Sequence, residues 1–309
     1  MHYNRKKQQI VLDNPELVLC ENGYFKIKAD LVEQYEIIDM HCHIFNGLSQ
    51  LFPPILQKEK SNNRKSLMDT SCFPYTIDLF DLNKISFTEC PTSILSMQGI
   101  QARIKLFSGA LVLNYATVDR LLRDMDDNIL KKIEDYMKMD IKGWKLNPHV
   151  WGVPIDCQET IMLLKELAKT NLPIMSCSGV GFPKKVFDSH VLTKQTKKET
   201  MMQQLSKFEK VLENIPDAKF ILAHSGGFDF EYIIDLMNKY PNTYTDISIQ
   251  PAANIKKLID EIGSERILFG TDYPFVSQAF SILSVLRATD IEQERVNIFS
   301  ENAKKMLLL

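Results

Sequence analysis

The chain has 309 residues, of which 45% are hydrophobic and 25% charged, with a formal net charge of −2. That balance fits a globular α/β protein whose core is large enough to need no disulfide staples. It excludes a strong field for nucleic acid or anionic membrane, and no apolar run approaches the roughly 18 residues of a membrane span.

In chain order, 37–40 is the first strand-like run, and 74–79 is a weak second. Strand 108–113 follows, then a helix over 119–137 with Leu122, Met125, Ile129, Ile133 and Met137 at helical spacing. Strand 142–146 leads to a helix over 158–169, and strand 172–176 to a helix over 199–214. Strand 219–223 precedes a helix over 230–240. Strand 243–247 precedes a helix over 253–262, which Gly263 should stop. Strand 266–270 is followed by helices near 277–288 and 291–307.

Alternation of this kind implies parallel strands joined by crossover helices. Eight such units predict a (β/α)8 TIM barrel. Pro53-Pro54 and the polar run 58–65 place a long insertion after the first strand. The competing architecture is an open doubly wound sheet, which normally carries a Gly-rich phosphate loop after its first strand; none is present. The expected organisation is one domain over 1–309, with 1–35 as an N-terminal extension and 36–309 as the barrel.

The run Ile37-Ile38-Asp39-Met40-His41-Cys42-His43 carries most of the chemistry. Residues two apart on a strand point to the same side, so His41 and His43 can reach one point at its end. Phe220-Ile221-Leu222-Ala223-His224 and Ile267-Leu268-Phe269-Gly270-Thr271-Asp272 are likewise apolar runs ending in polar, metal-competent residues. In a barrel, all of these fall at the C-terminal strand ends, where active sites sit. Imidazoles and a carboxylate suit Zn²⁺ and similar ions. The alternatives are hydrogen-bonded core histidines at 41, 43 and 224 and a helix N-cap at Asp272.

Four motifs, in order, carry a family resemblance. Asp39-Met40-His41-Cys42-His43 resembles the D-x-H-x-H signature of the amidohydrolase superfamily. Gly143-Trp144-Lys145-Leu146-Asn147-Pro148, Ala223-His224-Ser225-Gly226-Gly227 and Gly270-Thr271-Asp272-Tyr273-Pro274 resemble the fourth-, sixth- and eighth-strand segments of its amidohydrolase-2 branch. That branch includes hydrolases and lyases related to aminocarboxymuconate-semialdehyde decarboxylase. Where it usually carries a fifth-strand histidine, this chain has Cys177 in Pro173-Ile174-Met175-Ser176-Cys177-Ser178-Gly179. Cys177 is a thiolate ligand or a small buried thiol.

The resemblance implies one divalent metal, with Zn²⁺ first choice, held by His41, His43, Cys177 and Asp272. Asp272 and His224 are the implied catalytic pair, and Lys145 and His149 candidate substrate contacts. Lys145 is otherwise a carbamylated bridging ligand or a salt-bridged structural residue. Asp246 is similarly placed but lacks a motif. Asp39 should support the site from below, while Cys42 and Trp144 should pack away from it. The implied reaction is hydrolysis: water activated on the metal attacks a carbonyl of a small molecule, such as an amide or lactone. Non-oxidative decarboxylation is the alternative, and a barrel that binds a ligand without turnover is a second. Oligomeric state is left open.

Cysteines at 20, 42, 72, 90, 157 and 177 form no CxxC pair. The polar N-terminus lacks the apolar segment of a secretory signal, so the expectation is a cytoplasmic protein with reduced thiols. The basic clusters at 5–7 and 194–198 read as solvated faces.

Overall fold

The computed structural model describes residues 2–19, 25–41, 94–96, 104–107, 110–113, 128–138, 143–146, 155–179, 204–272 and 278–308. The N-terminal extension is a helix, His2–Asp13, followed by an antiparallel pair, β1 (Leu17–Leu19) and β2 (Phe25–Ile27). The sequence pattern assigns this extension no elements.

The barrel begins at β3 (Ile37–Asp39). Then come β4 (Ile94–Ser96), β5 (Ile104–Phe107), β6 (Ala110–Leu113), β7 (Gly143–Leu146), β8 (Ile174–Cys177), β9 (Phe220–Ala223), β10 (Thr243–Asp246) and β11 (Ile267–Leu268). Strands β6 to β11 form one sheet in sequential order, every pair parallel. Strand β3 pairs in parallel with β5, and β4 adds to β5 antiparallel. Three backbone hydrogen bonds bring the first barrel strand onto the last: Met40 N to Phe269 O at 2.9 Å, Thr271 N to His41 O at 3.1 Å, and Asp272 N to His41 O at 2.7 Å. Strands β3, β5 and β6 to β11 are thus the strands of a (β/α)8 TIM barrel, with the long insertion between β3 and β5.

One element differs from expectation. The candidate strand 74–79 lies outside the described residues, and β5 takes the place beside β3. The sequence pattern reads 108–113 as a strand and assigns none to Ile104-Lys105-Leu106-Phe107. The fold has two separate strands here, Ile104–Phe107 and Ala110–Leu113. The last helical stretch also differs: Glu292–Val296 and Asn302–Leu307 are joined by a π turn, Asn297–Glu301, that buries Ile298 and Phe299. The helix Ala252–Ile262 does end at Gly263, whose φ of 75° few side chains tolerate.

Alternate strand residues enter two different clusters, as period two requires. Ile174, Phe220, Leu222 and Ile267 join the large cluster under the helices, where Trp144 is also buried. Ile38, Met40, Met175, Ile221, Ala223 and Leu268, from four strands, form a smaller inner cluster with Ala303 and Met306 of the last helix. Among the described residues no helix is long and apolar enough to cross a membrane.

Candidate metal and catalytic site

Register carries the polar residues to the inner side at the strand ends. Lys145 on β7 pairs with Met175 of the inner cluster, and Cys177 lies two residues beyond Met175. Cys177 in turn pairs with Ala223, which His224 follows. Asp246 pairs with inner-cluster Leu268. His41 arrives from the end of β3, and Asp272 from the segment after β11. His41, Lys145, Cys177 and Asp246 are all buried, while His224 and Asp272 keep a partly exposed edge.

His41, Cys177 and His224 each offer a ligand atom, and these atoms lie within 4.8 Å of one another. His41 Nε2 is 3.3 Å from Asp272 Oδ1 and 2.8 Å from Lys145 Nζ. Two imidazoles and a thiol beside a carboxylate are the donor chemistry of a zinc-type ion. The donor set therefore fits the metal that the motifs imply. A cation at His41 Nε2 must displace the Lys145 amine.

On its other side His41 Nδ1 meets Asp246 Oδ2 at 2.9 Å. The two rings of His41 and His224 stand 4.7 Å apart at 43°. His224 Nδ1 lies 2.8 Å from Ser248 Oγ, which also contacts Asp246 Oδ1. Asp39 lies beneath, accepting from the backbone N–H of His41 at 3.2 Å and of Thr271 at 3.1 Å, and from the Thr271 hydroxyl at 2.5 Å.

Backbone strain collects at these strand ends. His224, Ser225, Gly226 and Gly227 all have positive φ, as do Ile249 and Asp272. Non-glycine residues are uncommon there, and a β-branched residue is an outlier. The loops after β8 and β9 also touch so closely that a Cβ on Gly179 would come within 2.2 Å of Gly226 O.

Burial dominates the electrostatics. It pushes the Cys177 thiol up to about 11, with Lys145 opposing, so without a cation the sulfur is protonated. It pushes His224 down to about 3, leaving a neutral imidazole at ordinary pH. It lifts Asp39 to about 7 despite the hydrogen bonds from Thr271. Asp246 goes the other way: burial raises it, but His41, His224 and Lys145 outweigh that and hold it below the usual carboxylate range.

The structure thus brings together His41, Lys145, Cys177, His224 and Asp272 of the sequence-derived set. His43 and His149 lie outside the described residues, as does Cys42. Asp39 supports His41, and Trp144 packs into the outer core with its indole N–H on Thr170 at 2.9 Å. The sequence motifs do not mark Ser248. Its only signal there is its place two residues after Asp246 at the end of a strand.

The amidohydrolase model Amidohydro_2 matches residues 115–309. Solved structures of similar fold include an uncharacterised TIM-barrel protein from Bordetella bronchiseptica, with a TM-score of 0.55 and 15% identity, covering 88% of this chain and 98% of that one. 2,6-Dihydroxybenzoate decarboxylase from Rhizobium has a TM-score of 0.54 and 17% identity, covering 89% and 99%. 5-Carboxyvanillate decarboxylase from Sphingomonas paucimobilis has a TM-score of 0.52 and 12% identity, covering 89% and 100%. At such identities the likeness is one of fold. No curated protein matches the sequence.

Proposed function

The chain belongs to the amidohydrolase family, and from that premise we propose that it is a metal-dependent hydrolase acting on a carbonyl group of a small molecule, an amide, lactone or related bond. The observation that carries this reading is the convergence of His41, Cys177 and His224 within 4.8 Å, with the Asp272 carboxylate against His41. His41, His43, Cys177 and Asp272 would hold one divalent ion, Zn²⁺ by donor type, and His224 stands within reach of the same ion. When bound, that ion supplies Lewis-acid polarisation of the carbonyl and makes water more acidic.

The remaining work falls to the chain's own groups. Asp272 accepts a proton from the attacking water and passes it to the leaving group, a role its partly exposed carboxylate suits. His224, kept neutral by burial, orients rather than carries protons. Lys145 and His149 contact the substrate. The sequence works as one domain, 1–309, in a reducing cytoplasm.

A second reading, non-oxidative decarboxylation, is favoured by one observation. Lys145 is buried among the donors, 2.8 Å from His41 Nε2, where a lysine would receive a substrate carboxylate. The decarboxylases named above share the fold, and their substrates, 2,6-dihydroxybenzoate and 5-carboxyvanillate, are natural probes for it.

The test is to load the protein with zinc and screen lactones, amides and carboxylated aromatics. Hydrolysis of any lactone or amide, lost in Asp272→Asn, supports the first reading. Release of CO₂ from a carboxylated aromatic without hydrolysis of the others replaces it with the second. A loaded protein that turns over none of them sinks both.

A further inference from the structure

We propose that Asp246 and Ser248 act as one positioning pair that fixes both His41 and His224 with the ring proton on Nδ1, leaving both Nε2 lone pairs to the site. The inference rests on the reading of these histidines as metal-site residues and assigns the groups that hold them ready. Ser248 is buried, two residues past Asp246, in the turn after β10.

The hydrogens decide the argument. Among the described residues, Ser248 Oγ has three polar neighbours: Asp246 Oδ1, in the closest contact, His224 Nδ1 at 2.8 Å, and His41 Nδ1 at 3.4 Å. A hydroxyl carries one proton, and an ionised carboxylate only accepts. The Ser248 proton therefore goes to Asp246 Oδ1, which also accepts the Ser248 backbone N–H at 2.8 Å. The oxygen can then only accept from His224, so the proton between them sits on His224 Nδ1. The same reasoning applies at His41, whose Nδ1 faces Asp246 Oδ2 at 2.9 Å and must supply the proton there. One carboxylate thus sets one imidazole directly and the other through a hydroxyl. A neutral imidazole protonated on Nδ1 has its lone pair on Nε2. For His41 that is the nitrogen beside Asp272 and Lys145.

The turn is built to hold Ser248 in this place. Ile249, the next residue, has φ 60°, a conformation a β-branched residue adopts only when its surroundings enforce it. Gln250 enforces it: its N–H reaches Ile247 O at 3.0 Å, and its side-chain amide donates to the His224 carbonyl at 2.6 Å. The Ser225 hydroxyl, next to His224, donates to Asp246 O at 2.7 Å. The two turns carrying His224 and Ser248 are therefore tied to each other at backbone and side chain alike. Hydrogen bonds of this outer kind orient metal-binding histidines and typically change metal affinity about 10–100-fold when removed.

The experiment reads the tautomers directly, in metal-free protein. Long-range ¹H–¹⁵N correlation spectra at about pH 8.5, above the ordinary histidine range, distinguish Nδ1–H from Nε2–H, with the two rings assigned from His41→Asn and His224→Asn spectra. Wild type should show Nδ1–H at both. Ser248→Ala should move the His224 proton wholly or partly to Nε2 and leave His41 unchanged, Ser248→Thr should restore it, and Asp246→Asn should disturb both rings. Zinc affinity, measured by competition with a chromophoric chelator, should fall about 10–100-fold in Ser248→Ala and recover in Ser248→Thr. Thermal melts check folding. A wild-type ring carrying its proton on Nε2, or a His224 tautomer indifferent to Ser248→Ala, overturns the proposal. Nδ1–H at both rings in a protein that binds no zinc upholds the pairing while removing the metal reading, so the two fail separately.

Discussion

The backbone N–H of Asp272 donates to the carbonyl of His41 at 2.7 Å, and the side chains of the same two residues meet at 3.3 Å. These residues lie at opposite ends of the barrel sequence. The contact that joins the first strand to the last is therefore also the contact that assembles the site.

That double contact sharpens the test of Asp272. The residue has φ 56°, a region asparagine tolerates far better than alanine. Asp272→Asn should therefore fold normally while losing the ionisable group, and turnover should fall by at least ~10²-fold. Measuring kcat/KM on a substrate found by screening, with melts as control, decides it. Near-normal turnover would return Asp272 to a structural role.

Cys177 should become a zinc ligand. Its thiol is protonated in the metal-free protein, so binding must release a proton and strengthen as pH rises. X-ray absorption of the zinc form should show sulfur near ~2.3 Å, a shell that Cys177→Ser removes. A spectrum of nitrogen and oxygen scatterers alone in wild type would mark the cysteine as a packing residue.

Gly270 sits where the first and seventh barrel strands leave no room for a side chain. A Cβ there would come within 2.8 Å of His41 Cβ and 3.0 Å of Asp246 Cβ, neither at the end of a flexible side chain. Gly270→Ala should cost about 1–3 kcal/mol of stability by overpacking and separate the His41–Asp246 pair. Denaturant melts with parallel zinc titrations would show both losses, whereas unchanged stability would mean the two strands yield easily.

Asp39 predicts a pH dependence in the metal-free protein. Burial lifts its folded pKa to about 7, against an ordinary 3.8. Within that window the folded state keeps a proton that the unfolded state has lost. Its contribution is fully present below the ordinary value and lost as pH rises through about 7. His224, held at about 3, acts in the opposite sense below its ordinary 6.5, so the useful quantity is the difference between wild type and Asp39→Asn. Melting temperatures from about pH 5 to about pH 8 should fall in wild type relative to the variant. Parallel curves would show that Asp39 keeps an ordinary pKa.

The sequence by itself determined the local features. Apolar runs ending in His41, His224 and Asp272 mark strands whose ends share a site, because parallel strands present their C-terminal ends together, and the family resemblance adds Cys177. Gly263 likewise marked a helix end, because only a few residue types accept its φ. The tertiary structure decided what depends on residues far apart in sequence. It placed Ile104–Phe107, which the sequence pattern does not mark as a strand, beside Ile37–Asp39, and set a π turn where the pattern predicts a regular helix. It also linked Ser248 to two histidines: nothing in the Asp246-Ile247-Ser248 triplet specifies a partner, because a hydroxyl's partners are fixed only when packing brings distant strands to one point.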